Sequence, residues 1–421
     1  MSSELLGFLL DDYEGNKPTA QFASIRRALS ELIYGGHILN RNDQQLLGVM
    51  LNRFCCSEVL RPGHALSPSG EFRMPLQDGS RMSWLRAVET LPISAPLEFL
   101  GLHESASVEK NRKETSELLS AVSRAEGTGS NRDQRYCLEE TVSRVTEFLS
   151  MIPAEMEHKP AQETGVRSDA TLLAVILVRE SKKYELLIRT IRMTLNAVCR
   201  MYGGRGVWCP RLATMGLEVA SDQIPPLWSR YSYLSNRRLT PYIQDLRLRS
   251  KFMNAWQQQI ALPLIWLSAL FSPLAFSSAI RLDYANGNNI NIFNINMRFC
   301  LLQLPEDQQT STPIEAPVRG AYIKGVFIQS ARWDSRRRGL VECLPKAQIT
   351  TAPVVWFEPT SATCTTCPSI FACPLYKTGS RHSAFYTTSQ STNYVMCIDM
   401  PSPLSPAHWI ERGTAMLLQP E

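Results

Sequence analysis

Four patterns in the sequence have residue types and spacings that could do chemistry. Cys364-Thr-Thr-Cys367, with Cys373 six residues on, begins like a zinc site, because two thiolates at that separation can share one tetrahedral ion. No second Cys-x-x-Cys or His-x-His pair lies nearby, so His382 and Cys343 would have to complete the ligand set through folding; loop thiols without metal are the other reading. Gly203-Gly204-Arg205-Gly206 is the cluster nearest to a phosphate-cradling loop, but it follows a helical pattern, not a strand, and reads as a helix stop. No Gly-Lys-Ser or Gly-Lys-Thr occurs in the sequence, so the P-loop type of nucleotide site has no counterpart. Arg336-Arg337-Arg338 could hold phosphate or an acidic partner, or form a solvated turn. The six histidines, His37, His64, His103, His158, His382 and His408, stand far apart, and none neighbours a Ser or Cys in a nucleophile motif. His103-Glu104 and His408-Trp409 read as structural hydrogen-bonding positions. No catalytic, cofactor-binding or metal role falls to any residue on these grounds, and the chain alone is expected not to be an enzyme.

The composition narrows the setting. With 421 residues and 44% hydrophobic content, the protein is long enough to bury a large core in two or three globular domains. Its 44 basic and 39 acidic residues leave a net charge of +5, too mild a footprint to indicate nucleic acid. Eleven cysteines, an odd number without an even framework, fit a reduced, cytosolic compartment. The N-terminus lacks a basic segment followed by a cleavable apolar run. The long uncharged stretch from Gln257 to Ile280 contains Pro263 and Pro273 among serines and glutamines. It reads as a buried strand at Leu264 to Leu267 and a helix from Pro273 to Tyr284, not as a membrane span.

Positioning any of these residues requires elements, and the periodicity supplies an α+β plan. Residues 1 to 125 read as short amphipathic helices: Leu5, Leu6, Leu9 and Leu10 form one face, then Phe22, Ile25, Leu29 and Leu32 another. Tyr34-Gly35-Gly36 stops the second helix, and Asp43 opens a third with Leu46, Leu47, Met50, Leu51 and Phe54 on one side. Each helix buries one stripe only, so this region is expected to dock on a larger neighbour. The polar stretch Glu126 to Gln134 reads as a linker. A helical part, residues 135–288, follows, dominated by a long helix from Thr171 to Tyr202 in which Tyr184, Leu187, Ile188, Ile191, Leu195 and Val198 keep helical spacing. Ile224-Pro225-Pro226-Leu227-Trp228 is an elbow, and Pro241 begins a helix carrying Tyr242, Leu246, Phe252 and Trp256.

Residues 289–421 shorten toward alternation. Ile290 and Ile292 change phase to Ile295, Met297 and Phe299, which predicts a bulge. Gly320 to Ile328 reads as a strand buried on both faces, with Gly339 turning the backbone back after the arginine tip. Candidate strands at Val354 to Phe357, Tyr394 to Asp399 and Thr414 to Gln419 suggest a small antiparallel barrel or sandwich.

The segment Gly320 to Asp334 resembles the "G-x-Y-(I/V)-x-G-(L/V)-x-(I/L)-x-(G/S)-A-x-W-D" stretch in the C-terminal domain of dynein heavy chains. Tyr34-Gly35-Gly36, Leu66 to Gly70 and Pro96 to Glu104 resemble the lid of that family's sixth AAA module, with departures at His37 and Asn40 to Asn42. Ile224 to Trp228, Ile265 to Ser268, Cys373 to Thr378, Ser391 to Val395 and His408 to Gly413 continue the match in order, and the Cys-Pro-Leu-Tyr-Lys-Thr and Ser-Thr-Asn-Tyr-Val stretches look axonemal. The resemblance implies an AAA lid over residues 1–125 and a dynein C-terminal domain over 135–421, with Cys364 and Cys367 in a variable loop. It further implies an ATP-driven, minus-end-directed microtubule motor in the cilium or flagellum axoneme, of which this protein would be a non-catalytic end without cofactor of its own. The partners implied are the rest of the AAA ring, intermediate and light chains through the complex, and microtubules through the full motor, with no nucleic acid and no membrane. A free-standing interaction protein and a zinc-binding protein are the competing classes.

Overall fold

The structure, a computed structural model, describes residues 18–38, 41–67, 69–74, 81–89, 97–100, 102, 104–126, 134–153, 172–235, 237–258, 264–302, 317–344, 347–361, 370–379 and 393–419. The expected Leu5 to Leu10 helix, Cys364, Cys367, His103, His158, His382 and nearly all of the expected linker lie outside these residues.

Helix α1 (Pro18–Ala28) runs into a π turn at Leu29–Ile33. A π turn adds a residue to the helical repeat, so later side chains fall behind the apolar stripe. The predicted face accordingly loses its last member, Leu32, which is 69% exposed. Gly35 follows because a Cβ there would stand 1.6 Å from the Ser30 carbonyl oxygen. Helices α2 (Arg41–Phe54), α3 (Arg81–Glu89) and α4 (Glu104–Glu126) complete this part. At 23 residues, α4 is not the short helix expected; its exposed face carries the i,i+4 pairs Lys110–Glu114 and Lys113–Glu117. Phe99 gathers the turns of this part, its ring 5.5 Å from Phe54 and 4.9 Å from Phe72.

Helix α5 (Gln134–Met151) leads to α6 (Leu172–Tyr202), 31 residues long, on which α5, α7 (Pro210–Ala220), α9 (Leu239–Gln258) and α10 (Pro273–Asn288) pack. The predicted stripe on α6 is buried, with Tyr184, Leu187, Ile191, Leu195 and Val198 fully so. Each such aliphatic side chain contributes about 1.5–3 kcal/mol of burial. The elbow forms α8 (Pro226–Ser229), whose Trp228 is buried and donates its indole N–H to Thr194 Oγ1 at 2.9 Å.

The strands are β1 (Leu264–Trp266), β2 (Asn296–Leu302), β3 (Ala321–Lys324), β4 (Phe327–Gln329), β5 (Ala331–Asp334), β6 (Gly339–Glu342), β7 (Ile349–Thr351), β8 (Val354–Thr360), β9 (Ile370–Tyr376), β10 (Tyr394–Pro401) and β11 (Ala415–Leu417), with α11 (Pro406–Glu411) before the last. They form sheets of order β1-β3-β8-β2 and β10-β9-β11-β4-β7, plus the hairpin β5-β6. Among the described residues none closes into a barrel, and β1–β3 and β9–β11 pair in parallel, so the expected small antiparallel barrel is corrected to open, mixed sheets. The reason lies in the connections: β1 arrives from the helical half and reaches its parallel neighbour only after α10 and β2. The phase change near Ile290 is not a bulge but a 3₁₀ turn at Ile292–Asn294, where the Asn291 side chain accepts the Phe293 amide at 3.1 Å. One buried core runs unbroken from Val145 in α5 through both large sheets to Leu418.

The expected single strand from Gly320 to Ile328 is broken at Gly325, where the backbone leaves the four-stranded sheet and enters the five-stranded one. Gly325 has φ +79°, and a Cβ there would sit 2.3 Å from the Trp266 ring. Only glycine satisfies both the left-handed backbone and the close indole. Replacing it (Gly325→Ala) is expected to lower stability by about 2–4 kcal/mol. Urea unfolding of the variant within about 0.5 kcal/mol of wild type would show that the corner does not constrain the fold.

Candidate functional site

The densest polar arrangement among the described residues lies inside the core. Arg249 on α9 is 1% exposed, and its Nε donates to Asp245 Oδ2 at 2.5 Å. Its Nη1 donates to the Ser268 carbonyl, and the guanidinium lies 4.0 Å from the centre of the Tyr233 ring and 5.6 Å from that of Trp266. Asp245 also accepts the Tyr233 hydroxyl at 2.9 Å and pairs through Oδ1 with Arg237 at 2.8 Å. Burial alone would pull the guanidinium pKa down, but Tyr184, Tyr233 and Asp245 around it outweigh that and hold it up. Burial likewise pushes the Tyr184, Tyr233 and Tyr242 phenols upward, so all three are neutral at ordinary pH.

A second polar group adjoins the first through α6. Tyr184 donates to the Ala269 carbonyl at 2.5 Å, and Glu180, buried, accepts the Phe271 amide at 2.6 Å. Lys183 reaches Ser272 Oγ at 3.0 Å and Glu180 at 3.4 Å. Lys377, at the end of β9, has its pKa lowered by burial and then by Lys183, with Glu180 opposing. The segment Trp266 to Ser272 is therefore held from α9 by an arginine and from α6 by a tyrosine, a glutamate and a lysine. Nothing in this arrangement pairs a nucleophile with a base; its chemistry is charge compensation inside a core.

The spacing did not single out these residues, although a signal exists. On α9 the apolar positions Tyr242, Leu246, Phe252 and Trp256 share a face with Asp245 and Arg249, and on α6 Glu180 falls between Leu177 and Tyr184. Charged residues on the predicted buried face mark such a site.

Other predicted positions resolve individually. Gly203 and Arg205 spend their amides on the carbonyls of Cys199 and Arg200, both at 2.9 Å, and Gly204 has φ +71°, so this cluster terminates α6. Arg336, Arg337 and Arg338 occupy an exposed tip. The left-handed residue there is Arg338, φ 53°, which corrects the assignment of the turn to Gly339. Asp334 Oδ1 shapes it by accepting the amides of Arg336 at 2.8 Å and Arg337 at 3.2 Å. Cys373 is buried in β9 opposite Ile398. His408 lies 3.2 Å from Glu342, which also pairs with Arg412 at 2.6 Å, and Trp409 donates to Ser402 Oγ at 2.7 Å. Asn393 returns from β10 to the end of β9, accepting the Thr378 amide at 2.9 Å and donating to its carbonyl at 3.1 Å.

The family model for the C-terminal domain of dynein heavy chains matches residues 110–418, and that for the AAA lid domain of dynein heavy chains matches residues 1–106. The protein belongs to the dynein heavy chain family. It is 29% identical over 423 residues to dynein axonemal heavy chain 3 of Mus musculus, a match covering 100% of this protein and 10% of the relative. It is 30% identical over 413 residues to dynein axonemal heavy chain 1 of Mus musculus, covering 98% of this protein and 10% of that one. Against dynein axonemal heavy chain 12 of Rattus norvegicus it is 28% identical over 421 residues, 100% of this protein and 13% of the relative. It thus spans about a tenth of the length of these relatives.

In this dynein segment the family-like motifs coincide with joints. Ile265 to Ser268 carries the Trp266 ring and Ser268 carbonyl that receive Arg249. The Cys373 to Thr378 stretch is clamped by Asn393 of the Asn-Tyr-Val stretch. In the lid, Glu98 accepts the Ser69 amide at 2.6 Å and so joins two motifs. Among the described residues no helix is long and apolar enough to cross a membrane.

Removing the guanidinium (Arg249→Ala) takes away the buried partner of Asp245, leaving it Arg237 and the Tyr233 hydroxyl, and is expected to cost about 3 kcal/mol, whereas Arg249→Met with Asp245→Leu should lose less. A double-mutant cycle by urea unfolding with no coupling between the two sites would refute this. Asp334 gives a pH signature. The Arg337 and Arg336 amides depress its folded pKa, so its contribution is complete above the unfolded carboxylate pKa of about 3.9 and disappears as pH falls through the lower folded value. The stability gap between wild type and Asp334→Ala should be flat above about pH 5 and shrink in acid; a gap independent of pH down to about 2 would contradict it.

Proposed function

We propose that the protein serves as the non-catalytic C-terminal segment of an axonemal dynein heavy chain, part of an ATP-driven, minus-end-directed microtubule motor in cilia or flagella. The carrying observation is that the main polar cluster is sealed in the core and fastens the long helix α6 to the strand-bearing half, as expected of a brace. The names of the relatives, all axonemal heavy chains, support the axonemal and motile reading. On this reading residues 1–125 form the lid of the sixth module, 135–421 the C-terminal domain, and the rest of the AAA ring is the immediate partner. Intermediate and light chains meet the segment through the complex, and microtubules through the whole motor. The segment holds no cofactor; it stiffens the ring and modulates how nucleotide state passes between modules.

The test compares complete heavy chains. With Arg249→Ala, ATP turnover should stay within about twofold while microtubule gliding slows by about fivefold or more, because coupling and not hydrolysis is weakened. Parallel loss of both, or loss of neither, counts against bracing. ATP turnover by the isolated 421-residue protein would end the non-catalytic reading.

A further inference from the structure

Ser335, on the hairpin β5-β6, combines basic residues on both sides with an exposed hydroxyl. Arg332 stands three positions before it and Arg337 two positions after it, with Arg336 and Arg338 alongside. Among the described residues, Ser30, Thr115, Ser116, Thr214, Thr240 and Ser250 also have an arginine or lysine three positions before them, yet none has a basic residue two positions after it. All of these lie in helical turns. Thr240, which follows the tandem Arg237-Arg238, donates its hydroxyl to Asp222 Oδ1 at 2.6 Å, and Ser250 is buried and donates to the Leu246 carbonyl at 2.8 Å. Ser335 is exposed in the turn between β5 and β6, and its hydroxyl has no partner among the described residues. The base of the hairpin is fixed: Leu340 is buried, and Thr350 donates its hydroxyl to the Ala331 carbonyl at 2.9 Å. Arg332 to Asp334 are extended in β5, so the residues leading to Ser335 are presented as a strand.

We propose that Ser335 is the acceptor for a serine/threonine kinase that reads basic residues on both sides of its target, and that the phosphate it receives is held by the guanidinium groups of the tip. In the transfer, Ser335 Oγ bonds to the γ-phosphorus of ATP and its proton passes to the kinase's catalytic aspartate, while the bond from that phosphorus to the bridging oxygen breaks with its electron pair leaving on ADP. Recognition follows from charge, because arginines at fixed positions on either side of the hydroxyl meet acidic side chains of such an enzyme. The product adds a charge of about −1.5 to −2 and three acceptor oxygens to a turn flanked by four guanidinium groups, those of Arg332, Arg336, Arg337 and Arg338. The Arg336 and Arg338 side chains have no partner among the described residues, and Arg332 uses only its Nε, donated to the Glu342 carbonyl at 3.2 Å. The nearest opposing carboxylate, Asp334, is engaged: Oδ1 accepts the Arg336 and Arg337 amides, and Oδ2 lies 4.0 Å from Arg337 Nε. Glu342, at the far end of β6, is occupied by His408 and Arg412. Phosphorylation therefore turns an uncompensated basic tip into a nearly neutral one. This inference rests on the hairpin alone and is independent of the bracing role.

The test incubates the 421-residue protein with ATP and the catalytic domain of protein kinase C, an enzyme that takes basic residues on both sides of its target, and locates the phosphate by mass spectrometry. Ser335 is expected to be the main acceptor, modified at least about tenfold faster than Thr240 or Ser250. Ser335→Ala should remove that labelling and Ser335→Thr should keep it, while Arg332→Gln with Arg337→Gln should slow it at least about tenfold in a protein that melts like wild type. No phosphate on Ser335, or equal labelling of Ser335, Thr240 and Ser250, would overturn the acceptor assignment. The holding of the phosphate is read by phosphorus NMR. A free phosphoserine titrates near about pH 6, and neighbouring guanidinium groups favour the dianion, so the midpoint should lie about half a pH unit or more below that. It should rise again in Arg336→Gln with Arg338→Gln, which keeps both recognition arginines. A wild-type midpoint at or above about pH 6 would overturn the clamp.

Discussion

A guanidinium sealed from water must be met on every side, and the compensation of Arg249 sets much of the architecture. An unpaired buried charge costs several kcal/mol, so α9 cannot pack against the 266–272 segment unless Asp245, the Ser268 carbonyl and the Tyr233 and Trp266 rings are all in place. Asp245 is itself buried and leans on Tyr233 and Arg237. The net effect on stability is modest, because desolvation offsets most of the attraction. The effect on specificity is larger: a shifted α9 would strand one partner or another, which separates the native packing from its near neighbours.

The same logic extends to the sheets. Trp266 both covers Arg249 and lies over Gly325, so the charge cluster and the corner where the backbone passes from one sheet to the other share a residue. Gly320, with φ +77°, and Gly325 bracket β3 and limit it to four residues. That shortness leaves β3 able to pair with β1 on one side and β8 on the other while β4 joins a different sheet. The open, mixed arrangement therefore follows from two permissive glycines and one indole more than from β-propensity, which is weakly informative in such short strands.

Much of this was legible because long periodic patterns average out local exceptions. The α6 stripe from Tyr184 to Val198 and the helix after Pro273 appear in the structure close to where their spacing puts them, and the termination of α6 at Gly203-Gly204 follows from backbone chemistry. What escaped was decided by tertiary contacts. Parallel pairing of β1 with β3 depends on residues 58 positions apart, and no local pattern encodes it. The π turn at Leu29–Ile33 changes phase without any punctuating residue before Gly35. Asp245 and Arg249 have the i,i+4 spacing of an ordinary exposed helix pair, and only their place on the Tyr242–Trp256 face reveals burial.

The position of β9 explains how the lid and the long helix come to belong to one object. Its N-terminal end lines a cleft against α1 and α2, its Tyr376 meets Asn42, and Lys377 just beyond lies within electrostatic reach of Lys183 and Glu180 on α6. A strand of seven residues rises about 3.3 Å per residue, so β9 touches the lid at both ends, at Phe371 and at Tyr376. It is flanked on both sides, by β10 and β11, and its end is fixed by the Asn393 clamp. An element held along both edges and at its terminus cannot bend independently of its sheet.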